Sequence, residues 1–115
     1  MKILITGANG LLGQNAVQQL TTAGHTVTAT GRGVCRLSAV GKTYRYTDID
    51  ITDRRSVLSQ VAAIKPEVII HAAAMAQPDA CELNKAASYD TNVNATRYFT
   101  TAAAAINAKL IYIST

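Results

Sequence analysis

The chain has no tryptophan, one phenylalanine, two prolines and two cysteines in 115 residues. Cys35 and Cys81 stand far apart and in no metal-ligand spacing. That excludes a disulfide scaffold and a zinc module, and leaves reduced thiols in a cytoplasmic protein as the simplest account. Charged residues are also few, 16% against 49% hydrophobic, which is the wrong balance for a disordered segment. The eleven Lys and Arg residues form no block, only Arg54 and Arg55 being adjacent, and no aromatic ladder lies among them. A nucleic-acid surface is therefore not expected. Long apolar runs are missing as well. Ile3-Leu4-Ile5 breaks at Gly7, too short for a signal core or a membrane span.

What remains is the composition of one soluble globular domain. The net charge of +4 suits an anionic ligand such as a phosphate-bearing cofactor. A mildly basic protein with no such ligand is the plain alternative.

Apolar periodicity divides the chain. Ile3-Leu4-Ile5 reads as a buried strand. Leu12, Ala16 and Leu20, with Val17 and Ala23 beside them, predict a helix with one apolar face, stopped at Gly24. Thr26 to Thr30 is a second strand, and Gly31 to Gly41 a glycine-rich loop. Tyr44 to Ile49 is a third strand. Thr52-Asp53 offers an N-cap to a helix whose inner face is Val57, Val61 and Ile64. Val68-Ile69-Ile70 is a fourth strand, apolar throughout as in a sheet covered on both faces. A long helix is expected from about Lys85 to Asn107, and a fifth strand from Leu110 to Ile113. Strands alternating with helices predict an α/β fold, a doubly wound parallel sheet in the order 3-2-1-4-5.

The stretch TGANGLLG, Thr6 to Gly13, lies where the first strand gives way to the first helix. Gly7 permits the tight turn, Gly10 lets backbone approach a pyrophosphate, and Gly13 lets the helix pack on the sheet. The helix N-terminus adds N–H groups and a positive dipole end. A turn that merely needs positive φ is the alternative. After the second strand, Thr30-Gly31-Arg32-Gly33 carries no acid. An acid there would bind a ribose 2′-hydroxyl, whereas Arg32 can pair with a 2′-phosphate, so NADP is expected over NAD. An ordinary loop arginine is the alternative.

The ordered set TGANGLLG, DITD at Asp50 to Asp53, HAAA at His71 to Ala74, NVNAT at Asn92 to Thr96 and IYIST at Ile111 to Thr115 resembles the N-terminal part of an extended short-chain dehydrogenase/reductase. The resemblance is to the dTDP-4-dehydrorhamnose reductase type and covers essentially the whole chain. It implies pyrophosphate binding at Gly7, Gly10 and Gly13, with Asn9, Leu11 and Leu12 in the same cofactor turn. It also implies Arg32 at the 2′-phosphate, Asp50 at the adenine amino group and Ile51 beside the ring. Ala72, Ala73 and Ala74 would lie beneath the cofactor ribose and phosphates, and Asn92 would be a structural asparagine of the following helix. Thr115 matches the catalytic Ser/Thr. The implied reaction is hydride transfer from NADPH to a 4-keto nucleotide sugar.

Each position has a plainer reading. Asp50 can simply open a loop, the alanines suit any tight helix–sheet contact, and Asn92 can satisfy nearby backbone. His71 is expected to be a buried or half-buried strand residue without a chemical job, and no metal is expected. The family's Tyr-x-x-x-Lys is missing: none of Tyr44, Tyr46, Tyr89, Tyr98 or Tyr112 has a lysine four residues later. The chain therefore reads as one domain, residues 1–115, that binds NADP (NAD being possible) without turnover and without the substrate-binding region. A non-catalytic regulatory module on the same fold is the rival reading. Self-association is expected, because a last strand with no helix over it leaves apolar surface open.

Overall fold

The computed structural model describes residues 1–31, 35, 44–72 and 93–113. Its elements run β1 (Lys2–Thr6), α1 (Leu11–Thr22), β2 (Thr26–Gly31), β3 (Arg45–Asp48), α2 (Arg54–Ile64), β4 (Val68–His71), α3 (Ala95–Ala105) and β5 (Lys109–Tyr112). The five strands form one sheet in the order β3-β2-β1-β4-β5, and every pairing is parallel. This is the expected fold class and strand order.

Alternation along the central strand builds two cores. Leu4 points into a cluster with Ile49, Val57, Val61, Ile69, Phe99, Ala102 and Ala103, so α2 and α3 cover that face. Ile3 and Ile5 point the other way, to Ala8, Val17, Val27 and Ala29, and α1 covers them. Successive side chains of a strand alternate between faces, so one three-residue apolar run supplies both cores.

Helix ends follow local chemistry. Asp53, not Thr52, is the N-cap of α2, its carboxylate accepting from Arg55 N at 3.1 Å and Ser56 N at 3.3 Å. Gly24, at φ 93°, closes α1: His25 N donates to Leu20 O and Gly24 N to Thr21 O, both at 3.1 Å. Asn107, at φ 58°, closes α3 in the same way, with Ala108 N donating to Ala103 O at 2.9 Å. Asparagine tolerates the left-handed conformation better than most residues.

Several boundaries differ from expectation. The third strand begins at Arg45 and ends at Asp48, leaving Ile49 beyond it but buried in the core. β5 starts one residue earlier than predicted, at Lys109. The described helix of the long predicted segment is Ala95–Ala105; residues 85–92 lie outside the described part. The inner face of α1 is also rotated from the expected one. Leu12 is 54% exposed, and the buried positions are Gly13 and Val17. The helix lies so close to the turn at Gly7 and Ala8 that its contact residue has to be a glycine, which turns the preceding leucine outward.

Candidate functional site

In a doubly wound sheet, ligands bind beyond the C-terminal strand ends where the connections diverge to opposite faces. Here that point lies at β1, between β2 and β4, and TGANGLLG occupies it. Gly7 takes φ 67°, a conformation that strains any L side chain. Its carbonyl accepts from Gly10 N at 3.0 Å, while Ala8 N donates across to Thr30 O at 3.0 Å. The turn is thereby tied to itself and to β2.

Gly10 is the exposed N-cap of α1, in extended conformation and with no side-chain cap. Gln14 N, the fourth in the helix, donates to Gly10 O at 2.9 Å. The N–H groups of Leu11, Leu12 and Gly13 precede it and have no acceptor within the helix. The first turn holds no acid, so nothing in the helix opposes an anion at its positive end. A Cβ on Gly10 would lie 3.3 Å from Gly7 O. That contact is tight but needs a shift of only a few tenths of an ångström, and the missing side chain leaves the backbone open to solvent at this point. Gly13 differs: its Cβ would fall 2.1 Å from Gly7 O and 2.7 Å from Ala8 Cα. These features fit a pyrophosphate. A dinucleotide bound here would be held by the N–H groups of the turn and of α1.

β4 ends beside the turn. Thr6 Oγ1 accepts from Ala72 N at 2.9 Å and is hydrogen-bonded to His71 Nδ1 at 2.8 Å. The imidazole is fully buried, tilted against Phe99 at 4.9 Å and stacked on Tyr112 at 5.7 Å between centroids. Its Nε2 has no hydrogen-bond partner among the described residues. His71 is thus a buried clamp between β1 and β4. Burial lowers its pKa from 6.5 to about 4, because the charged ring would lose its hydration.

The folded pKa lies below the unfolded one, so the unfolded chain takes up the proton first. The contribution of neutral His71 is whole above pH 6.5 and is lost as pH falls towards about 4. Stability is expected to drop by about 2 kcal/mol between pH 7 and pH 5. His71→Phe should remove most of that drop, as read from urea midpoints at the two pH values. An equal drop in the variant would assign the effect to other groups.

Beyond β3, Asp50 is exposed and accepts from Thr52 N at 3.0 Å and Thr52 Oγ1 at 2.6 Å. This is the local turn expected of an acid before a helix, and it holds the carboxylate near the C-terminal strand ends. Ile51 packs, partly buried, on the α2/α3 core. Ala72 is half-buried at the end of β4. Thus Gly7, Asn9, Gly10, Leu11, Leu12, Gly13, Asp50, Ile51 and Ala72 all lie in segments at the C-terminal end of the sheet. Arg32, Ala73, Ala74, Asn92 and Thr115 lie outside the described residues.

Sequence reading missed Gly31 and Tyr46. Asn9 Nδ2 donates to Tyr46 Oη at 3.1 Å, and Gln14 Nε2 donates to Asn9 O at 2.7 Å. The Asn9–Tyr46 pair stands over Gly31, the last residue of β2. Only the absence of an acid was legible there; what fills the space was not. Among the described residues no group of three or more His, Cys, Asp or Glu side chains can hold a metal, and no helix is long and apolar enough to cross a membrane.

Comparison with known proteins agrees with this geometry. The model of the RmlD substrate binding domain family matches residues 1–115. A dTDP-4-dehydrorhamnose reductase of Aggregatibacter actinomycetemcomitans is 32% identical over 99% of this chain and 34% of its own length. The methionine adenosyltransferase 2 subunit beta of Mus musculus is 35% identical over 98% of this chain and 32% of its own. The chain spans about a third of the length of these relatives. A UDP-glucose 4-epimerase of Thermus thermophilus, solved in complex with NAD, superposes with a TM-score of 0.89 over 100% of this chain and 38% of its own. At 21% identity this likeness speaks for the fold.

Proposed function

The chain belongs to the RmlD substrate binding domain family, and from that premise we propose that it is the dinucleotide-binding part of a reductase acting on a 4-keto nucleotide sugar, with NADP(H) as cofactor. The observation that carries this reading is the exposed, acid-free N-terminus of α1 behind Gly10. A relative sharing 32% identity bears the name of a dTDP-4-dehydrorhamnose reductase.

In this reading Gly7, Asn9, Gly10, Leu11, Leu12 and Gly13 hold the pyrophosphate by backbone. Arg32 pairs with the 2′-phosphate, Asp50 and Ile51 take the adenine, and Ala72, Ala73 and Ala74 lie under the ribose and phosphates. Asn92 braces the helix, and Thr115 hydrogen-bonds the reacting carbonyl. Bound NADPH supplies the hydride. The chain's own residues bind and orient; no Tyr-x-x-x-Lys is among them.

Calorimetric titration with NADPH and NADH tests the reading. NADPH is expected to bind at least roughly tenfold tighter, and Arg32→Ala to erase the difference, since a charge-assisted contact of about 1.5–3 kcal/mol is lost. Binding of neither cofactor would sink the proposal.

A relative of 35% identity bears the name of a subunit, methionine adenosyltransferase 2 subunit beta, which favours a second reading, a non-catalytic NADP-binding regulatory or interaction module on the same fold. Oxidation of NADPH by the complete protein in the presence of a dTDP-linked 4-keto sugar separates the two. Self-association also belongs to the proposal. Ile111 and Tyr112 of the edge strand β5 are 41% and 43% exposed, and sedimentation showing monomer alone at high concentration would refute it.

A further inference from the structure

Gly31 occupies the place where dinucleotide folds of this topology carry the acid that binds a ribose 2′-hydroxyl, the end of the second strand. Its backbone does not call for glycine, since Gly7 and Gly24 are the glycines at positive φ among the described residues. Space does. A Cβ at Gly31 would lie 2.7 Å from Asn9 Nδ2, 2.8 Å from Tyr46 Oη and 3.1 Å from Asn9 Cγ. Those two side chains are hydrogen-bonded to each other at 3.1 Å. Gln14 Nε2 donates to the main-chain carbonyl of Asn9 at 2.7 Å, which ties the turn that Asn9 projects from, and the Tyr46 ring packs on the α1-side core. The polar tips therefore meet above Gly31, and a side chain there would have to part them and break their hydrogen bond.

We infer that the Asn9–Tyr46 pair is a specificity device that fills the space of a side chain at position 31 and so excludes the acid an NAD site would use. The inference rests on the cofactor reading given above and assigns its selectivity to exclusion as well as to Arg32. Asn9 comes from the glycine turn and Tyr46 from the edge strand β3, and neither contributes charge. Preference for the phosphorylated cofactor then arises partly because the competing grip cannot be built.

Four proteins test this: wild type, Gly31→Asp, the cleared pair Asn9→Ala/Tyr46→Phe, and the cleared pair with Gly31→Asp. Each is melted and titrated with NADH and NADPH. In the wild-type background Gly31→Asp should lower Tm by about 5–15 °C, as overpacking does, and gain no NADH affinity. In the cleared background the same change should cost less than half as much Tm. It should also shift the NADH-to-NADPH affinity ratio at least tenfold towards NADH. Wild type that prefers NADPH, combined with equal Tm losses in the two backgrounds, overturns this inference alone. So does NADH affinity gained by Gly31→Asp with the pair intact, or no shift of the ratio in the cleared background. Wild type that binds neither cofactor overturns the cofactor reading and the selectivity built on it. The melting cycle still reads whether the pair fills the space.

Discussion

Gly13→Ala is expected to lower the melting temperature by about 10 °C or more. The added Cβ would stand 2.1 Å from Gly7 O and 2.7 Å from both Ala8 Cα and Gly7 C. All three are backbone atoms, so no side chain can swing aside. Either α1 lifts from β1 or the turn opens. Lifting α1 withdraws Val17, which is 2% exposed, from its cluster with Ile3, Ile5 and Val27. Opening the turn breaks the bonds of Gly10 N to Gly7 O and of Ala8 N to Thr30 O. Overpacking usually costs about 1–3 kcal/mol, and more where backbone alone must yield. In a domain whose whole stability is about 5–15 kcal/mol, that is a large share.

Gly10→Ala is the matched control. Its Cβ meets Gly7 O at 3.3 Å, so a shift of a few tenths of an ångström suffices and the fold should survive. Its expected defect is a roughly tenfold or greater loss of NADPH affinity, because in the proposed binding mode the methyl would stand in the path of the pyrophosphate. Thermal melts and titrations on the two variants give opposite patterns if the glycines divide the work this way. A Gly13→Ala variant as stable as wild type would show that the contact of α1 with the Gly7–Ala8 turn is not the constraint described.

Phe99→Ala should cost about 3–5 kcal/mol, the usual range for emptying a buried aromatic site. Phe99 is the largest fully buried side chain among the described residues and touches the core shared by β1, β4, α2 and α3. Its ring also lies against His71, which bonds to Thr6 just before the glycine turn. The cavity would therefore loosen the clamp between β1 and β4 as well as the core. Thr101→Ala, at an exposed position of the same helix, should stay within about 0.5 kcal/mol of wild type. Urea denaturation of both variants checks this; equal small losses would place Phe99 outside the stabilising core.

Local chemistry made much of the fold readable. Three glycines at a spacing of three, a strand before and a helix after, are contained in Thr6 to Gly13. Ile3-Leu4-Ile5 is short and apolar on both sides of its pleat, which marks a central parallel strand. Asp53 and Gly24 announce helix ends because caps act over a few residues. Leu12 misled because periodicity treats a leucine as a core residue, whereas the close approach of the helix to the Gly7–Ala8 turn demanded Gly13. Phe99 drew no notice because an isolated aromatic in a helix does not state which core it fills.

By itself, the sequence determined the doubly wound architecture, the strand order and the place of the glycine turn. These depend on patterns within one element and on the handedness of the links between neighbours. The tertiary structure decided which distant residues meet. Thr6 and His71 are 65 positions apart and Asn9 and Tyr46 are 37 apart, yet each pair closes a hydrogen bond at the C-terminal end of the sheet. Parallel register sets β1 against β4 and β2 against β3, and only once the strands are aligned does Gly31 come to lie beneath Asn9 and Tyr46. The missing acid could be read along the chain; the side chains that take its space were brought there by packing.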